Sequence, residues 1–341
     1  MTPTSSIAQT PTMETDHTDV AVIPRMLVTS DGRLLEADVY RPRTRRVRAQ
    51  VVLHGATAVP RKHYAAFARH MAEAGFEILI YDYRGVGGSV SDHVKHDDAT
   101  MSDWLERDAP AAVRTLRGEG PSSVPFFAIG HSFGGQIVAA LEGVPQPEAV
   151  VTMGAQRGYW AAFAPSVRPR MWLNWFVLMP MLTTTLGYLP GWAGLGVDMP
   201  AGVVDEWASW CKRPDYYLSD HPEIATRLAS YRGKLLALSV TDDDFAPLGN
   251  VSWLIARHRR AALEHVRFRP EDVAVSRFGH FGFFRVQYAA SVWPEVVGHF
   301  EEVLGEGVRP RRLGAEVVPA SDGMVALDDD ELALDLDYGR V

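Results

Sequence analysis

Short apolar runs alternate with helical patterns along most of this chain, and that alternation limits the possible folds more than any other feature. Ala49–His54 (AQVVLH), Phe76–Asp82 (FEILIYD), Val124–Ile129 (VPFFAI), Ala149–Met153 (AVVTM) and Lys234–Val240 (KLLALSV) read as strands buried on both faces. Helical patterns lie between them. One covers Tyr64–Ala74 and ends at Gly75; another runs from Ser102, the expected cap, to Leu116, with Asp103 in its first turn. Two strands around Ser30-Asp31-Gly32 open the body, and a strand near Val273–Arg277 and a helix over Tyr288–Leu304 close it. Units of this length imply an α/β protein with a mostly parallel central sheet flanked by helices. The alternation stops between about residues 156 and 233, where six of the nine tryptophans fall. That interval reads as a cap inserted between two strands, over the sheet edge where α/β proteins place their sites.

With 341 residues, 47% of them hydrophobic, the chain can bury a large core. The formal charge of −8 is concentrated at the ends. Residues 1–19 hold Glu14, Asp16 and Asp19 and no Lys or Arg, and residues 305–341 are also acidic, so residues 20–304 are close to neutral. A neutral body argues against nucleic acid as a partner. The division expected is a disordered leader over 1–19, a body over 20–304 and a flexible acidic tail over 305–341. Cys211 is the sole cysteine, which excludes an intrachain disulfide and reads as a small buried hydrophobe. The N-terminus has no apolar run of a secretory kind, so the expected location is cytoplasmic. Residues 171–197 carry no charge, but Pro180, Pro190 and four glycines interrupt them. They fit a lid or buried segment better than a membrane span, with peripheral membrane contact as the lesser reading.

The chemistry centres on Gly130-His131-Ser132-Phe133-Gly134-Gly135, which follows one strand and opens a helix-like segment. In a sharp strand-to-helix turn the serine hydroxyl is presented at a strained bend, and glycines are needed where side chains would strike the neighbouring strand and helix. A serine needs a base near neutral pH, and the base needs an orienting acid. Downstream, KLLALSV runs into Thr241-Asp242-Asp243-Asp244, and Phe278-Gly279-His280-Phe281-Gly282 follows later. Ser132, Asp243 and His280 therefore stand in the order this architecture requires, with Asp242 as the second choice of acid. An oxyanion hole needs two backbone N–H groups. Phe133 is the expected first donor. Ala56, in the loop after AQVVLH, is the second, with Thr57 as its alternative.

Together GHSFGG, the Asp-Tyr-Arg-Gly-Val-Gly-Gly-Ser run at 82–89, the aspartate after the strand and GHFGFF resemble the α/β-hydrolase superfamily. The ATAVPRKHY run at 56–64, the Trp-rich insert and GHFGFFR look like a bacterial group of predicted α/β hydrolases labelled serine aminopeptidase-like. The resemblance covers about residues 25–304 and implies an α/β-hydrolase fold with a cap and a Ser132/Asp243/His280 triad. One departure is Ala58, where that narrower group would have glycine.

The expected function is a serine hydrolase acting on a carboxylic ester or related acyl bond of a small, apolar substrate. It needs no metal and no organic cofactor. An acyltransferase or small-peptide hydrolase using the same residues is the alternative, and a non-catalytic binding protein on the same scaffold is the third reading. His93 and His96 with Asp92, Asp97 and Asp98 read as a solvated loop rather than a metal site. His131 reads as packing at the elbow, and the 82–89 run lacks the spacing of a phosphate loop.

Overall fold

A computed structural model describes residues 19–119, 123–193, 196–307 and 316–318. The leader, apart from Asp19, and most of the acidic tail lie outside the described residues.

The chain opens with β1 (Val20–Val28) and β2 (Leu34–Pro42), an antiparallel pair that turns at residues 29–33. Six strands then run parallel: β3 (Gln50–His54), β4 (Glu77–Tyr81), β5 (Phe126–His131), β6 (Ala149–Met153), β9 (Lys234–Val240) and β10 (Ala262–Phe268). The short β7 (Tyr188–Leu189) and β8 (Met199–Pro200) form a separate hairpin in the insert. With β11 (Glu316–Val318) antiparallel on β10, the sheet order is β1-β2-β4-β3-β5-β6-β9-β10-β11.

The period-two alternation of the strands divides the core between the two faces of the sheet. Val52, Leu79, Ala128, Val150 and Leu235 face one hydrophobic layer, and Val51, Ile78, Phe127, Val151 and Leu236 face the other. Helix α1 (Ala65–Glu73) buries Phe67, Ala68, Met71 and Ala72 in the second layer and stops at Ala74, with Gly75 beyond it at φ 95°. Helices α2 (Met101–Asp103) and α3 (Ala109–Glu119) are joined by a π-helical turn at Trp104–Asp108. Helix α9 (Leu248–Ile255) lies between β9 and β10, and α10 (Trp293–Leu304) closes the body.

Three boundaries differ from the sequence expectation. The cap of the 101–119 helix is Thr100, whose hydroxyl accepts the Asp103 N–H while the Asp103 carboxylate takes the Thr100 N–H. Ser102 lies two residues further on, within the first turn, and its hydroxyl donates to Glu206 at 2.6 Å. The closing helix begins at Trp293, with Pro294 in its first turn, rather than at Tyr288. The strand expected near Val273–Arg277 is not one. Pro270–Val273 is a 3-10 turn and Ala274 sits at φ 56°, which breaks the extension. The strand preceding that loop is β10, near the sheet edge, and its Glu264, His265 and Arg267 disguise its apolar alternation.

The 82–89 glycine run serves structure. Arg61 meets Glu36 at 2.7 Å and Asp38 at 2.8 Å and also pairs with Asp82, whose carboxylate takes the Gly88 N–H at 2.9 Å. Arg84 bonds the fully buried Asp108 through Nε at 2.8 Å and reaches Asp31 at 2.8 Å. These pairs lock β2, β4 and the 101–119 helix together. In the expected metal-free loop, Asp97 pairs with Arg33 and takes the Ala99 N–H, and His96 meets Asp92 at 3.3 Å.

Between β6 and β9 the chain builds a helical layer. Helices α5 (Arg168–Leu173) and α6 (Met179–Leu186) are joined by a π-helical turn at Asn174–Leu178, and α7 (Ala201–Cys211) and α8 (Pro222–Ser230) follow. Trp210 and Cys211 are fully buried, and Trp175 packs edge-on against Trp207 at 4.7 Å. Much of the tryptophan content therefore cements this layer.

Candidate active site

Helix α4 (Phe133–Ile137) starts immediately after β5, and Ser132 occupies the bend at φ 51°, ψ −115°. A residue with a Cβ is strained there, and the strain presents its side chain away from both elements. Two contacts hold the bend: the Ser132 N–H donates to the Met153 carbonyl at 3.0 Å, and the Gly134 N–H donates to the Gly55 carbonyl at 3.2 Å. Close approach explains the flanking glycines. A Cβ on Gly130 would lie 2.4 Å from the Gly135 Cα, and one on Gly134 would lie 2.1 Å from the His54 carbonyl oxygen. Gly134→Ala is therefore expected to push the elbow off β3 and cost about 3 kcal/mol or more, read as a loss of soluble protein or a fall in denaturation midpoint.

The loops after β9 and β10 bring Asp243 and His280 together. His280 Nδ1 meets Asp243 Oδ2 at 2.7 Å, with both side chains buried. The other Asp243 oxygen accepts the N–H groups of Phe245 at 2.9 Å and Ala246 at 3.0 Å, so the carboxylate is fixed before it orients the imidazole. Asp242, weighed as the alternative acid, has a different task. Its two oxygens take the Phe278 and Gly279 N–H groups at 2.8 and 3.0 Å and pin the loop that carries His280. Asp244 is exposed. The pair rests against the end of β6, since a Cβ on Gly154 would come 3.2 Å from the His280 ring and 3.3 Å from Asp243. His280 also lies beside the elbow: its ring centroid is 5.2 Å from that of His131, the residue preceding Ser132.

His131 is wholly buried and carries no charge, because burial holds its pKa well below the usual range. Its Nε2 lies 3.1 Å from the His280 carbonyl, and its Nδ1 lies 3.0 Å from the Tyr64 hydroxyl. A carbonyl can only accept, so Nε2 carries the proton, Tyr64 donates to Nδ1, and the Tyr64 oxygen accepts the Ala56 N–H at 2.8 Å. This chain corrects the expectation for Ala56. Its N–H is turned inward to Tyr64 and is not offered to an oxyanion, which leaves Thr57 as the candidate in that loop. Ala58, where glycine was expected, sits at φ 62°, a left-handed conformation that glycine adopts without strain. Nothing in the sequence marks this role for Tyr64, because a tyrosine in a helical pattern gives no sign of what its hydroxyl meets. Tyr64→Phe would leave the Ala56 N–H and His131 Nδ1 without partners in the interior. A loss of about 1–3 kcal/mol in chemical denaturation is expected.

Exposed aromatics rim the His280–Asp243 pair. Phe245 is 46% exposed with its ring 5.3 Å from that of His280, and Phe281 is 39% exposed at 5.2 Å.

The sheet order and the sharp turn from β5 into α4 define a protein of the α/β-hydrolase fold. Three solved structures share that fold at low identity. An esterase of Pyrococcus furiosus is 15% identical with a TM-score of 0.54, over 84% of this chain and 91% of that one. Brefeldin A esterase, a bacterial homologue of human hormone sensitive lipase, is 15% identical with a TM-score of 0.56, over 88% and 81%. A puromycin hydrolase is 16% identical with a TM-score of 0.54, over 88% of this chain and 42% of that one. Residues 45–192 match the family described as serine aminopeptidase, S33. No curated protein matches the chain.

Proposed function

We propose that this protein is a serine hydrolase that cleaves carboxylic esters of small, apolar substrates through an acyl-enzyme on Ser132. The observation that carries this reading is the 2.7 Å contact of His280 Nδ1 with the anchored Asp243 carboxylate, beside a serine at φ 51°. With Nδ1 directed at Asp243, Nε2 of His280 is the basic nitrogen. It takes the Ser132 proton as Oγ attacks the carbonyl carbon, and the resulting imidazolium is stabilised by Asp243. The N–H groups of Phe133 and Thr57 hold the oxyanion. His280 then returns the proton to the leaving oxygen, and water, activated by the same imidazole, releases the acid.

The Phe245 and Phe281 rim supports an apolar acyl or alcohol group. On p-nitrophenyl esters, kcat/KM is expected to rise at least about tenfold from acetate to octanoate, since each buried methylene contributes about 0.8 kcal/mol. A profile flat to decanoate would remove the apolar-substrate part of the reading. The direct test is labelling of the purified protein by a fluorophosphonate, with the adduct mapped by peptide mass spectrometry. An adduct on Ser132 is expected, and folded protein that stays unlabelled would overturn the proposal. Hydrolysis of small peptides is the second reading, supported by the match of residues 45–192 to a serine aminopeptidase family. Release of free amino acids from short peptides, faster than ester cleavage, would favour it.

A further inference from the structure

The largest departure from an ordinary surface lies on the insert. Helices α5 and α6 and the turn between them run without a break from Arg168 to Leu186. One stripe of this rod, Met171, Trp175, Met179 and Thr183, faces inward, and the Thr183 hydroxyl donates to Asp205 of α7 at 2.6 Å. Its opposite face is also apolar. Trp172 is 45% exposed, Leu173 42%, Phe176 38% and Met181 49%, and beyond the helix Trp192 reaches 78%. A surface helix ordinarily turns polar residues to water, and a contiguous group of large exposed side chains marks a contact surface.

The charges around this face point to one kind of partner. Arg168 and Arg170 are exposed in the first turn of the rod, where the helix dipole favours acids, and neither forms an ion pair among the described residues. Lys212 lies over the Phe176 ring at 5.2 Å. No acidic residue occurs from 171 to 197. Cations at the border of an apolar face with tryptophans, and no acid within it, complement the phosphate-rich skin and acyl interior of a lipid layer. No helix among the described residues is long and apolar enough to cross a membrane, so such a contact would lie along the surface.

We propose that the outer face of residues 168–192 docks on the surface of an anionic lipid bilayer. The rod would lie in the plane of the headgroups, with Trp172, Phe176, Met181 and Trp192 in the acyl boundary and Arg168 and Arg170 against lipid phosphates. Phe176 packs edge-on against Trp160 at 5.9 Å, and Trp160 stands six residues beyond Gly154, the floor of the His280–Asp243 pair.

The test is sedimentation of the full chain with vesicles of phosphatidylcholine alone and of phosphatidylcholine mixed with phosphatidylglycerol, which reads binding without reference to activity. Binding to the mixed vesicles, weakened by added salt, is expected. A Trp172→Gln, Met181→Gln double variant should lower the partition coefficient at least about tenfold, and Arg168→Gln or Arg170→Gln about fivefold each on the anionic vesicles alone. Unchanged melting temperatures would show that the variants fold. Absence of binding to either vesicle overturns the proposal, as does binding that ignores the substitutions. Self-association in sedimentation velocity that the Trp172→Gln, Met181→Gln variant abolishes, without vesicle binding, would assign the face to a second copy of the chain and overturn it too.

Discussion

Ser132→Ala is expected to lower kcat for ester hydrolysis on the order of 10⁴–10⁶-fold and to abolish fluorophosphonate labelling, with the fold unchanged. Size and selectivity both follow from the site. The alanine keeps the Cβ, the elbow and the Gly134–Gly55 bond, so only the nucleophilic oxygen is lost. Asp243→Asn should fall by about 10⁴-fold, since an amide that donates to Nδ1 fixes the wrong imidazole tautomer. Stability should respond in the opposite direction to activity. Ser132 is held at φ 51°, ψ −115°, and such a sparsely populated conformation costs about 1–3 kcal/mol. Ser132→Gly removes that strain but loosens the unfolded chain, so it should melt at or above the parent temperature while being inactive. A Ser132→Ala variant with more than a few per cent of parental kcat would show that this serine is not the nucleophile.

Acid should unfold the protein well above the pH at which its carboxylates titrate. Besides His131, three buried histidines are held neutral by desolvation: His54, pushed down to about 3, and His258 and His265, each to about 4. In the unfolded chain each titrates near 6.5, so between that pH and about 4 the unfolded state binds more protons than the native state, and stability falls as pH falls. At pH 5 each histidine costs about 2 kcal/mol, and the three together about 6 kcal/mol, against a total stability that is typically about 5–15 kcal/mol. Urea midpoints should be level above pH 7 and drop steeply between pH 6.5 and 5. His265, whose Nε2 meets the Ser239 hydroxyl at 2.7 Å, offers the control, because His265→Gln should remove about 2 kcal/mol of the loss at pH 5. A midpoint that does not change from pH 7.5 to pH 5 would show that these imidazoles ionise freely in the folded state.

The parts of the fold that were legible are those where one physical demand governs a run of residues. β3, β4, β5, β6 and β9 are buried on both faces, so nothing but apolar runs serves there, and the runs mark the strands. The elbow was legible because close backbone approach admits only glycine at 130 and 134. β10 was not, since a strand near the sheet edge tolerates Glu264 on one face and Arg267 on the other. Asp242 and Asp243 are chemically identical neighbours, and only the turn decides which oxygen meets His280 and which holds amides. The inward Ala56 N–H had no signal at all, because the direction of a backbone amide leaves no trace in side-chain identity. The departure at Ala58 did carry information, and it fell at a left-handed position beside the loop that the sequence could not resolve.

The hydrogen-bond chain Ala56–Tyr64–His131–His280 has a mechanical meaning beyond the bonds it satisfies. It joins the turn that contains the oxyanion candidate to the loop that carries the base, so these two halves of the machinery share one degree of freedom. Substitutions at Tyr64 and at His131 should then behave as one event. Once either link is broken the other transmits nothing, and a double-mutant cycle on kcat should return an interaction energy of about 0.5–3 kcal/mol instead of simple additivity.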